Sequence, residues 1–190
     1  MKKFILPIII VVAIAAGTGF YFWHQSGAPI VQRQHLAAQI YQSRNAPFTI
    51  QPPKDWVIDD TGANGTIVIF VDPALDSEDD VTLPASINVL SEPLQGLSRE
   101  EYIRVSKENL RQYSPAYAIT VDSPAKVQNY DAHIFEGHFS SQGRQIRNRQ
   151  LFVFFGDTVY IITGTSLASA WDQHRQIIND SLGTFAIVAK

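Results

Sequence analysis

The chain has 190 residues, enough for one domain of ordinary size plus a targeting segment. Apolar residues make up 45%, which excludes wholesale disorder, and Lys+Arg 15 against Asp+Glu 18 leaves −3, which argues against a dedicated nucleic-acid binder. With no cysteine, disulfides, a thiol nucleophile, thiolate-bound zinc and a lipidated N-terminal cysteine are excluded together.

Charge is absent from Phe4 to Trp23, and as a helix these 20 residues would span about 30 Å, the thickness of a bilayer's hydrocarbon core. Lys2 and Lys3 precede the stretch and no basic residue follows before Arg33, so the positive-inside rule keeps the N-terminus in the cytoplasm. Small residues at Ala13 to Gly17 offer signal-peptidase sites, but cleavage there would leave Phe20, Tyr21, Phe22 and Trp23 at a new N-terminus. Those aromatics suit an interfacial belt, so an uncleaved anchor over residues 1–23 is expected. Residues 24–47 read as a tether, opened by Ser26-Gly27-Ala28-Pro29 and holding an Ala/Gln-rich run of helical character from Gln34 to Tyr41. The globular domain is expected at residues 48–190. Without Lys2 and Lys3 the exported part carries 13 basic and 18 acidic groups, a balance that disfavours lying flat on an anionic membrane.

Within the domain, Phe48-Thr49-Ile50 reads as a strand stopped by Pro52-Pro53, and Trp56-Val57-Ile58 resumes it. Thr66 to Val71 is a β-branched run typical of a buried strand, a polar loop follows to Pro84, and Ala85 to Leu90 is the next strand. Ser98-Arg99-Glu100-Glu101 forms a capping box that opens a helix with Tyr102, Ile103, Val105, Leu110 and Tyr113 on one face. Strands are expected at Tyr117 to Val121, Ala125 to Gln128 and Ala132 to Phe139. Ile146 to Phe155 and Thr158 to Thr165, joined by Gly156-Asp157, form the clearest unit, a β-hairpin. Its register puts Val153 and Phe155 on a face with Tyr160 and Ile162, and Phe152 and Phe154 on the other with Val159 and Ile161. Both faces are apolar, so the sheet needs a helix above and below. A last helix is expected to start at Ser169 and to pack through Trp171, His174, Ile178 and Leu182. The order of elements is α+β with a mainly antiparallel sheet.

The ordered set then resembles a known family. Phe48-Thr49-Ile50 leads into Pro52-Pro53-Lys54-Asp55-Trp56, a buried strand ends at Phe70, and Ile87-Asn88-Val89 precedes the helix opened by Ser98 with Glu101-Tyr102. A late hairpin closes on Tyr160-Ile161-Ile162-Thr163-Gly164, and the final helix runs into Ser181-Leu182-Gly183-Thr184-Phe185. This pattern, covering roughly Phe48 to Ile187, resembles the PsbP-like superfamily, which includes bacterial DcrB-like envelope proteins. The resemblance implies an α/β/α sandwich and a non-catalytic protein of the inner membrane and periplasm that binds or stabilises another envelope protein. Asp55 stands where a glycine often precedes the tryptophan.

Each candidate for chemistry has a plainer account. Gly164-Thr165-Ser166-Leu167-Ala168 sits where a nucleophile elbow would, but Ala168 replaces the needed glycine and Asp172 and His174 are too close for a triad, so Ser166 is expected in a loop or cap. On a strand His133 and His138 face opposite sides, while Glu136 and His138 share one, and two ligands do not make a metal site. Asp72, Asp76, Glu78, Asp79 and Asp80 lack the glycine of a calcium loop and are expected to be solvated. Arg144, Arg147 and Arg149 are the basic cluster, Arg147 and Arg149 sharing a strand face, and they are the candidate partner contact. No catalytic residue and no cofactor is expected. The alternative function is binding of a small molecule or metal ion in the envelope.

Overall fold

The computed structural model describes residues 39–74, 76–78 and 81–188. The anchor expected at residues 1–23, the tether up to residue 38 and the carboxylates at 79 and 80 lie outside the described residues.

Three short strands, β1 (Tyr41–Gln42), β2 (Phe48–Ile50) and, at the far end of the chain, β12 (Ala186–Ile187), form a small sheet with β2 in the middle. Between them lie β3 (Val57–Asp59), β4 (Val68–Val71), the pair β5 (Asp76–Glu78) and β6 (Val81–Leu83), and β7 (Ser86–Pro93). Helix α1 (Arg99–Tyr113) follows, then the long strands β8 (Ala118–Val127), β9 (Tyr130–Ser141), β10 (Arg144–Phe155) and β11 (Thr158–Leu167), and helix α2 (Trp171–Gly183). The main sheet has seven strands in the order β3-β4-β7-β11-β10-β9-β8, each pair antiparallel.

The hairpin register is the expected one: Val153 lies opposite Tyr160 and Phe155 opposite Thr158. Gly156 has φ 59 while Asp157 keeps a negative φ, the pattern of a type II′ turn whose twist matches the strands it joins. Phe152, Phe154, Val159 and Ile161 pack in one core with Tyr102, Ile103 and Leu110 of α1. Leu151, Val153, Tyr160 and Ile162 pack in the other with Trp171, Ile178 and Leu182 of α2. Two apolar faces thus receive one helix each, as their composition requires.

Four local expectations are corrected. Pro124 does not divide a strand, because β8 is the edge of the sheet and an edge position needs no amide facing outward. Residues 76–83, expected as loop, include the two-stranded β5–β6 sheet. Tyr113 is exposed, and Ser106 takes the buried position one turn before Leu110, its hydroxyl donating to the Tyr102 carbonyl. Ser169 does not cap α2, since Ala168–Ala170 form a 3₁₀ turn that leads straight into Trp171. The capping box of α1 forms as expected, Ser98 Oγ accepting from the Glu101 amide at 3.2 Å and Glu101 Oε2 from the Ser98 amide at 3.0 Å.

Residues 41–47, within the expected tether, are built into the fold. Tyr41, in the strand β1 rather than a helix, sets its ring 5.6 Å edge-on from Phe70. The far end of the chain closes against the same region. Ser181 Oγ donates to the Gln51 carbonyl at 2.7 Å, the Gln51 amide donates to Thr184 Oγ1 at 2.8 Å, and Phe185 stacks on Phe48 with centroids 5.2 Å apart.

Candidate functional site

The β9–β10 register sets Glu136 opposite Arg149 and His138 opposite Arg147, all four on the face that α2 covers. Glu136 is 2% exposed. A carboxylate so buried is unfavourable unless charged donors meet it, and two do: Arg147 Nη2 donates to Oε1 and Arg149 Nη1 to Oε2, each at 3.0 Å. Arg175, one turn into α2, brings Nη2 to 3.9 Å from Oε2. The Arg147 guanidinium also lies 5.2 Å from the ring centroid of the fully buried Trp171, a cation–π contact that fixes its plane. Three guanidiniums thus surround one carboxylate on the α2 face.

Of the three arginines named from the sequence, the structure brings two together. Arg144 lies opposite Ser141, next to the Gln142–Gly143 turn, and its even position on β10 puts it on the α1 face with Ile146 and Asn148. The third cation is instead Arg175, which sequence spacing could not link to β10 because the contact depends on how α2 docks. Glu136 and His138 do share a face, but Glu136 is spent on arginines and His138 is exposed.

The serine and the His and acidic residues singled out from the sequence take the following places. Ser166 lies inside β11, neither loop nor cap, fully buried with its hydroxyl donating to the Leu167 carbonyl at 3.0 Å. Among the described residues no three His, Asp or Glu side chains are placed to hold a metal ion. His133 faces α1, where its Nε2 is 2.7 Å from Asp122 Oδ1, and Lys107 Nζ reaches Asp122 Oδ2 at 2.5 Å. Burial works to raise the Asp122 carboxyl, but hydrogen bonds from Lys107 and His133 outweigh it and hold it below the ordinary value. Asp72, first of the acidic run, accepts from the Ala74 amide at 2.9 Å and lies 3.8 Å from His174 Nδ1.

Two further polar centres sit on the α1 face. Tyr117 donates to Asn148 Oδ1 at 2.5 Å across the core, and its ring occupies the space left by Gly137, where a Cβ would come within 2.6 Å of Tyr117 Cε1. Tyr102 donates to Glu92 Oε2 at 3.0 Å. Burial pushes the Glu92 carboxyl up, and the bond from Tyr102 only partly opposes it.

Comparison with known proteins gives a consistent picture. The description of the DcrB family matches residues 49–184 of the sequence. A protein of unknown function from Pseudomonas aeruginosa, PA94, superposes with a TM-score of 0.58 at 19% identity, covering 80% of this chain and 98% of its own. LpqN of Mycobacterium tuberculosis, described as involved in cell envelope biogenesis, gives 0.59 at 14% identity over 75% of this chain and 83% of its own. Cyanobacterial PsbP (CyanoP) of Synechocystis sp. PCC 6803 gives 0.58 at 12% identity over 78% and 91%. These likenesses show a shared fold. A search of curated proteins by sequence gave no match.

Proposed function

The chain belongs to the DcrB family, and from that membership and the geometry of the α2 face we infer a non-catalytic protein, held at the cytoplasmic membrane by residues 4–23, whose periplasmic domain binds or stabilises another envelope protein. The Glu136 centre carries this reading. Arg147 and Arg149 are each anchored at one nitrogen by a buried carboxylate and remain 31% and 22% exposed. Cations held in place at a surface contribute to recognition, since their ordering cost is already met before a partner arrives. The involvement of LpqN, a neighbour in fold, in cell envelope biogenesis supports the compartment. So does the charge-free stretch after Lys2 and Lys3.

The test is photo-crosslinking from native membranes with the full-length chain, the crosslinker placed in turn at His138 and at Arg111 on α1. One partner captured in stoichiometric amount from position 138, absent from position 111 and lost with Arg175→Glu, which leaves both hydrogen bonds to Glu136 in place, is the expected result. Capture of nothing above background, or equal capture from both positions, overturns the proposal.

A further inference from the structure

Resting on that reading, we propose that Arg147, Arg149 and Arg175 form a docking site for an acidic segment of the partner, two of whose carboxylates enter the guanidinium cluster beside Glu136. Charge is the first argument. Three guanidiniums face one carboxylate, so the cluster keeps two positive charges in excess on a chain that is otherwise acidic. Asp172, three residues before Arg175 on α2 and exposed like it, is the nearest acid in sequence and offsets part of that excess.

Chemistry is the second. The cluster already grips a carboxylate end-on, one nitrogen from each of Arg147 and Arg149, and a guanidinium presents further N–H donors in a plane suited to a second carboxylate. Arg147 and Arg149 are 31% and 22% exposed and Arg175 is half exposed, so the outer edges of these guanidiniums are open to an incoming carboxylate.

Order is the third argument. Glu136 ties two arginines from below, Trp171 fixes the plane of one, and the rigid β9–β10 ladder sets their spacing. An incoming carboxylate therefore meets cations that are already gathered.

The test uses the full-length chain in neutral detergent and a fluorescent peptide with two adjacent aspartates, its two-asparagine counterpart, inorganic phosphate, and vesicles containing anionic lipid. Arg175 is the position to vary, since it is half exposed and its removal leaves Glu136 with both hydrogen bonds. The acidic peptide is expected to bind in a salt-sensitive way and to lose about tenfold or more in affinity with Arg175→Glu. Arg175→Lys should keep most of it, and Arg111→Glu on α1 all of it. Equal binding of the asparagine peptide, indifference to Arg175→Glu, or preference for phosphate or vesicles over the acidic peptide overturns the proposal. If the acidic peptide fails while crosslinks still reach position 138, the carboxylate assignment falls and the partner reading stands. If both fail, both fall.

Discussion

Residue by residue, the buried charge at Glu136 is held by asymmetric dependence. Replacing Arg147 and Arg149 together by alanine leaves an unpaired carboxylate that is 2% exposed, and should cost about 3–5 kcal/mol in urea unfolding. Glu136→Gln should cost less, because its freed arginines reach water, and adding it to the double variant should restore part of the loss. A second close fit lies beneath α2. A Cβ on Gly164 would strike the Cγ2 methyl of Ile178, so Gly164→Ala should lower stability by about 1–3 kcal/mol. Combined with Ile178→Ala, it should cost less than the sum of the two, since each relieves the other. Residue roles were only partly legible in the sequence. The shared face of Arg147 and Arg149 follows from strand parity alone, whereas Arg175 enters through helix docking and Arg144 leaves through that same parity. Asp55, which the resemblance marked as standing at a position suited to glycine, has φ 66, a left-handed conformation that glycine adopts freely and aspartate tolerates.

At the level of elements, α1 depends on its start. Ser98→Ala removes the oxygen that takes the Glu101 amide and should lower stability by about 1 kcal/mol. The strand it faces carries a pH response. Glu92 is raised in the folded chain above its unfolded value, so the native state holds the proton more tightly. The stability this gives is full below the unfolded carboxyl value of about 4.3 and is lost as pH rises through the native one. Urea midpoints of the wild type should therefore fall as pH rises through that window. Glu92→Gln should lack this slope and be the more stable protein at neutral pH. Elements with strong local signals were legible: the capping box, the Gly156–Asp157 hairpin and the two apolar faces that demanded two helices. The β8 strand was not, because proline breaks interior strands and only the sheet order reveals an edge. The start of α2 was hidden for a similar reason, a 3₁₀ turn having no sequence signature that separates it from a capped helix.

For the whole molecule, the fold class was legible because two-faced strands and two amphipathic helices have few compatible arrangements. Its outer boundary was less so: β1 is too short to show a period, and Tyr41 belongs with the core through its contacts with Phe48 and Phe70. A fragment starting at residue 39 should therefore be more stable than one starting at residue 48, by about 1–2 kcal/mol in thermal or urea unfolding. If the shorter fragment matches the longer, β1 adds nothing to the domain. The order of strands in the main sheet has a consequence for how the chain reaches this state. The β8–β11 run pairs neighbour with neighbour and zips locally, but β7 must pair with β11 across α1, β8, β9 and β10. During synthesis the β4–β7 pair therefore waits with one open edge bearing Ile87, Val89 and Leu90, until β11 emerges. Pairing at such distance is slow and an open apolar edge invites pairing with other chains, so the time between making β7 and making β11 is when a nascent molecule is most exposed to aggregation.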